Sequence, residues 1–475
     1  ITLIGHTETT SGYNGIAFFQ NTEASRSAIA ATGGGNILLQ GSAGAGSSEY
    51  GVSLDSLDIL ATTGSITIDG RAAGVKLYDG GTLFVGQKTG SAVTTSTSNI
   101  TVIGDKLYSE TASRFASSGT LTVKPYTAGT TIGIAGGAGT LSLAASYFST
   151  NFVNGFSNIT VGSATAGNLS VGTNALTYND PLTFKTAGNI AFSSGASLTG
   201  TAGQNASLVL WSDADNSGSG SMSIVGTTIN TNGGHLWLGG GSGSTTWNGL
   251  TVGDGYATNT GSGYIVGINL NNNSTLQTKG GDIWLKGANS ATAATGQYYS
   301  VDIWNTVLID STIDGTTGTT SGSIRIDALG AASNPSGTDR PFYFQNSTIR
   351  ASSGSITING TSRDTSGGAS TSYGVLLDGG TQINGGSGAI NITGTGGGGA
   401  NVQGIVTVGT NTISSTSGAI SLTGNAGVSS TNVSGIDFDS GVNVTSTSGD
   451  ITLTGTGYGT SGVGIKTVSG GTINP

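Results

Sequence analysis

The sequence predicts an all-β fold: a right-handed parallel β-helix with three short strands in each coil. Two observations carry this. A short apolar-x-apolar strand entered through glycine recurs along the chain, and two further strands keep a fixed distance from it. A third is compositional. Glycine supplies 86 of 475 residues, only 8% are charged and there are five prolines, which suits many tight corners and few helices.

The clearest strand, here strand c, reads S-G-S-I-T-I-N-G (353–360), S-G-A-I-N-I-T-G (387–394), S-G-A-I-S-L-T-G (417–424) and S-G-D-I-T-L-T-G (448–455). T-G-S-I-T-I-D-G (63–70) and G-G-D-I-W-L-K-G (280–287) are looser copies. Ile356, Ile390, Ile420 and Ile451 follow one another at 34, 30 and 31 positions. Period-2 alternation turns two apolar residues of each copy inward and the residue between them outward. Glycine at the corners is expected to let the backbone turn sharply.

Strand a is a Gly-Val or Gly-Ile entry at Val375, Ile405 and Ile436, and strand b lies eight positions later at Ile383, Ile413 and Val444. Strand c follows seven positions after b, and Ile268, Leu276 and Ile283 obey the same template. A lone coil cannot bury its inward face, so such repeats must stack, at about 4.8 Å per coil. The domain expectation is one continuous solenoid over 1–475, with regular coils at 1–95 and 236–475. Over 96–235, Ile100, Leu121, Leu141 and Ile159 are 21, 20 and 18 apart, and Leu169, Ile190 and Leu208 are 21 and 18 apart. These read as shorter coils of the same solenoid, the alternative being a packed β-sandwich insertion.

Spacing from a to c is constant, whereas spacing from c to the next a runs 15, 16 and 19 after Ile390, Ile420 and Ile356. Insertions are therefore expected at that one corner, which either forms a binding edge or merely tolerates length change. The chain opens on Ile1, with no signal peptide, and reads as a processed or excised piece. I-T-L-I-G (1–5) aligns with strand c, and Ile465 and Ile473 give a final a and b. Both ends are thus expected to be unfinished, continuing in a longer rod or stacking end to end on another copy.

Several function classes fall away. Apolar residues make up 35% of the chain in short alternating runs, unlike a disordered chain of high charge. A net charge of -9 without a basic stripe argues against nucleic acid. No apolar run reaches the roughly 18 residues of a membrane helix, so no membrane insertion is expected. Absence of cysteine excludes disulfides and thiolate metal sites.

The strand-c copies, G-V-L-L-D-G-G-T-Q-I-N (374–384), L-T-Y-N-D-P-L-T-F-K-T-A-G-N-I-A-F (176–192), W-S-D-A-D-N-S-G-S-G (211–220) and T-N-G-G-H-L-W-L-G-G-G (231–241) resemble filamentous-haemagglutinin-type large exoproteins. The resemblance covers most of the chain, through structural repeats. It implies a two-partner-secretion passenger of a Gram-negative bacterium, extracellular and associated with the cell surface, serving adhesion or biofilm. Its partners would be host or neighbouring cells, glycans or extracellular matrix. The family's amino-terminal secretion domain is not matched, and N-P-S-G (334–337) sits mid-chain where that domain's Asn-Pro turn is not expected.

No catalytic, cofactor or metal residue is assigned, and the chain is read as a non-enzyme. The best acidic pair, Asp437 and Asp439, shares one face of strand a, but neighbouring coils place Leu376 and Val406 there. A polysaccharide-acting enzyme would cluster more acids. Neither His6 nor His235 lies in a recognisable motif. D-A-D-N-S-G (213–218) matches half a calcium loop, with Ile224 where a bidentate acid belongs. The outward strand-c residues Thr67, Thr357, Asn391, Ser421 and Thr452 form an interrupted hydroxyl column, against an ice-binding array.

The aromatics point elsewhere. All five tryptophans lie between 211 and 304, and in H-L-W-L (235–238) and D-I-W-L (282–285) the ring faces outward. Trp237, Trp284 and Arg325 are therefore expected in one column, as a glycan or surface contact. The competing expectation is that a long loop covers them or that they merely brace each other.

Overall fold

The computed structural model describes residues 1–7, 13–19, 27–44, 49–78, 83–110, 112–204, 206–260, 263–289, 296–313, 321–332, 337–365, 369–429, 431, 433–468 and 470–475. Most of the N-P-S-G turn lies outside them. The protein is nearly all β and forms a parallel β-solenoid, as the strand spacing predicts. It comprises two compact units, Ile1–Ala187 with Ala196–Leu208, and Gly188–Gly195 with Val209–Pro475.

In the second unit the three predicted columns exist residue for residue. Strand c pairs Leu236, Ile283, Ile324, Ile356, Ile390, Ile420 and Ile451 in parallel register. Strand a runs from Ile268 through Val301, Phe342, Val375, Ile405 and Ile436 to Ile465. Strand b runs from Leu276 through Ile309, Ile349, Ile383, Ile413 and Val444 to Ile473. Register is fixed because a one-residue slip would turn every inward Ile to solvent, at about 1.5–3 kcal/mol per buried side chain.

The corner glycines serve a purpose other than the expected one. Gly354, Gly388, Gly418 and Gly449 do not have positive φ. Instead they stack: a Cβ on each would overlap the carbonyl of its counterpart one coil back, at Gly322, Gly354, Gly388 and Gly418. A second stack lies where strand c passes to strand a, with Gly360 against Gly374 and Gly394 against Gly404. Close backbone approach, not sharp turning, is what demands glycine there.

In the first unit strand c pairs Ile37, Ile66, Ile100, Leu121, Ile159 and Leu182. Two four-stranded sheets close these coils, through Ile16, Val52, Val75 and Leu107, and through Ile29, Ile59, Val85 and Phe115. Among the described residues the strands between 96 and 235 pair in parallel, so the sandwich alternative fails. Two column assignments need correction. Leu141 does not join Ile100; it pairs with Ile132, which in turn pairs with Leu169. Leu208 belongs to the c strand Leu208–Trp211, not to a column with Leu169.

The reason lies in the coil between Leu121 and Ile159, which is long rather than short. It carries the tight parallel pair Ile132–Ile134 and Leu141–Leu143 and a π-helical turn, Tyr147–Asn151. Phe148 and Phe152 of that segment meet edge-to-face at 5.5 Å, and Phe152 meets Phe115 at 5.7 Å. Aromatic volume there replaces the aliphatic ladder.

Candidate functional site

Trp237, Trp284 and Arg325 are paired in one column of strand c, as the spacing requires. They do not share one surface, however. Trp237 is 0% exposed, so its ring is not part of the accessible surface. It packs edge-to-face on Trp211 at 6.3 Å, and the Trp211 indole donates to the Gly241 carbonyl at 2.8 Å. What covers it is an antiparallel hairpin, Leu236–Trp247 with Leu250–Gly255, inserted at the corner between strand c and strand a.

This hairpin was missed by the repeat analysis, although it carries a local signal. Asn248 and Gly249 form its two-residue loop, both at positive φ (48° and 77°). Asn-Gly is the preferred pair for such a turn. The consequence is functional, because the hairpin delivers Trp247 to the outer face of strand c. Its ring lies 5.8 Å from Trp284 and 5.6 Å from the His235 imidazole. Asn248 Nδ2 donates to Asp282, which ties the turn to the sheet.

His235 Nδ1 accepts the Asp282 backbone N–H at 3.0 Å, so that nitrogen carries no proton. Burial lowers the imidazole's pKa, with the Asp282 carboxylate opposing the shift. The ring is therefore neutral at physiological pH and serves as a flat neighbour to Trp247.

Trp284 is held from its edge. Its Nε1 donates to Asp327 at 2.8 Å, and Arg325 Nε donates to the same oxygen at 2.8 Å. The Arg325 guanidinium lies 4.8 Å over the Trp284 ring, and its side chain is 54% exposed. Asn359 supplies a further donor to Asp327. A carboxylate engaged by three donors is a fixed orienting group. Lys286 is buried beside Trp284 and Tyr256 and donates to the Asp254 carbonyl. Burial lowers its pKa, with Asp327 and Asp254 drawing it back up. The assembly is a preset stacking surface: two tilted indoles, a cation over one, and exposed Thr245 and Thr246 at its border.

The other sequence candidates are placed plainly. Asp437 is ion-paired with Lys466 at 3.1 Å, while Asp439 is exposed. Asp213 Oδ1 accepts from the Gly218 N–H and the Ser217 hydroxyl, and Asp215 accepts from the Ser217 N–H, so both cap their own turn. Ile224 is buried in a strand. The structure brings His6 Nδ1 to the Ser42 hydroxyl, a pairing the sequence did not reveal. Asp69, in the coil beyond, is taken up by Gln40 and Arg71. Among the described residues no three His, Cys, Asp or Glu side chains converge as a metal site, and no helix is long and apolar enough to cross a membrane.

Compared with protein-family models, curated proteins and solved structures, the chain finds no match.

Proposed function

We propose that this solenoid is an extracellular adhesive element of a secreted bacterial surface protein, and that it contacts glycans through the Trp284 face. The observation that carries this reading is the Trp247–Trp284–Arg325 surface, whose rings are oriented before any ligand arrives. Indole faces stack on the C–H faces of sugar rings, and a guanidinium over one of them adds donors to hydroxyl oxygens. Preorientation lowers the ordering cost of binding. The secreted, surface-associated setting follows from the resemblance to large exoproteins and belongs to the same proposal.

A glycan array probed with the intact protein tests it, followed by titration of the best ligand. Trp284→Ala is expected to weaken binding about two- to tenfold, the range for loss of one ring contact. An array profile that is blank, or that survives Trp284→Ala together with Trp247→Ala, would sink the reading.

A further inference from the structure

The a strands of the same unit present a second, unassigned surface. The column that faces away from the core on successive a strands is Asn269, Asp302, Tyr343 and Leu376, of which Asn269 and Tyr343 are part-exposed while Asp302 and Leu376 are buried. Trp304 lies two residues beyond Asp302 on the strand Gly296–Trp304 and is half-buried. Tyr299 reaches the same face, its ring 5.4 Å from that of Tyr343. Arg340 lies 6.0 Å from the Tyr343 ring and 5.9 Å from the Tyr373 ring, between aromatic groups of consecutive coils.

Two donors on this face are unspent. Trp304 Nε1 and Arg340 Nε are shielded from water and have no acceptor. Leaving such a donor unmet costs about 1–3 kcal/mol, which a small rotation toward an incoming oxygen would recover. Acceptors are also at hand: Asp378 receives the Tyr343 hydroxyl at 2.8 Å and the Gln345 amide at 3.1 Å. Rings set diagonally across one face, unmet donors and a carboxylate rim match a polyhydroxylated chain. The net charge of -9 and the nearby Asp302, Asp378 and Asp437 disfavour a polyanion.

We propose that this face binds a neutral polysaccharide running obliquely across the a strands, over Trp304, Tyr343 and Tyr373. The inference is independent of the Trp284 face, since it uses different residues on a different sheet.

Affinity electrophoresis of the whole protein through gels containing barley β-glucan, galactomannan, xylan or dextran tests it, with alginate as the anionic arm. At least one neutral polymer is expected to retard the wild type. Trp304→Ala and Tyr343→Ala should each weaken that retardation about two- to tenfold. Trp304→Phe, which keeps one aromatic ring but removes the N–H and part of the ring area, guards against loss of folding and should weaken it less. Trp284→Ala should leave part of the retardation in place, separating this face from the other. Retardation by alginate alone, by no neutral polymer, or equally in wild type, Trp304→Ala and Tyr343→Ala overturns the proposal.

Discussion

Asp339→Asn is the most informative single perturbation of stability. Asp339 is wholly buried at the insertion corner, where it accepts hydrogen bonds from the Ser362 hydroxyl and the Asn289 amide. Burial pushes its carboxyl up from 3.8 to about 7, the hydrogen bonds opposing and the neighbouring Asp364 adding to the rise. Below pH 4 the group is protonated in both folded and unfolded chains, and its contribution is fully present. As pH rises, the unfolded chain ionises first, so stability is lost progressively up to about pH 7. At about 1.4 kcal/mol per pH unit, the loss amounts to about 4 kcal/mol. A carboxamide does not ionise, so the variant lacks this slope. Melting both proteins by circular dichroism from pH 4 to pH 8 should show Asp339→Asn gaining several degrees on the wild type as pH rises. A gap that stays constant, or moves the other way, refutes the assignment of a buried, neutral-range carboxyl.

Other outcomes follow from the same geometry. Gly388→Ala should destabilise by about 1–3 kcal/mol, as overpacking does, whereas Gly379→Ala, which meets open space, should leave the melting temperature unchanged. Trp247→Ala should weaken glycan binding with little change in melting temperature, because its ring is half-exposed on the hairpin; a large loss of stability would show that the ring is structural. His235 contributes to hairpin docking above its ordinary pKa of about 6.5, and that contribution is lost as pH falls through its lowered folded value. Tryptophan emission should therefore change on acidification below the ordinary histidine range. In His235→Gln that change should be absent.

Sequence legibility followed the physics of stacking. Ile356, Ile390, Ile420 and Ile451 were readable because parallel register forces the same apolar residue to recur at the same point of each coil. Closing strands of the first unit, such as Val52–Asp55 and Leu57–Ala61, were not, because their columns mix Ile, Val, Leu and Phe without the serine-glycine entry. Leu141 was misplaced because spacing near 20 mimics a short coil when a local parallel pair intervenes. At the site, the outward direction and shared column of Trp284 and Arg325 were legible. Burial of Trp237 was legible only as the competing expectation of a covering loop; that the cover is an antiparallel hairpin was not, because it lies in a glycine-rich run.

The stacked glycines give this solenoid a rule for changing length. Each coil rests on its predecessor through bare backbone, at Gly354, Gly388, Gly418 and Gly449 alike, so these points are interchangeable seams. Excising the stretch from 388 to 417 would set Gly418 where Gly388 had been, with Ile420 in the place of Ile390. Genetic duplication or deletion between two such seams preserves every column, whereas adding one methyl at a seam disturbs two coils at once. Besides the insertions carried at the corner between strands c and a, the whole turn is therefore a unit by which this chain can change length, through recombination rather than point mutation.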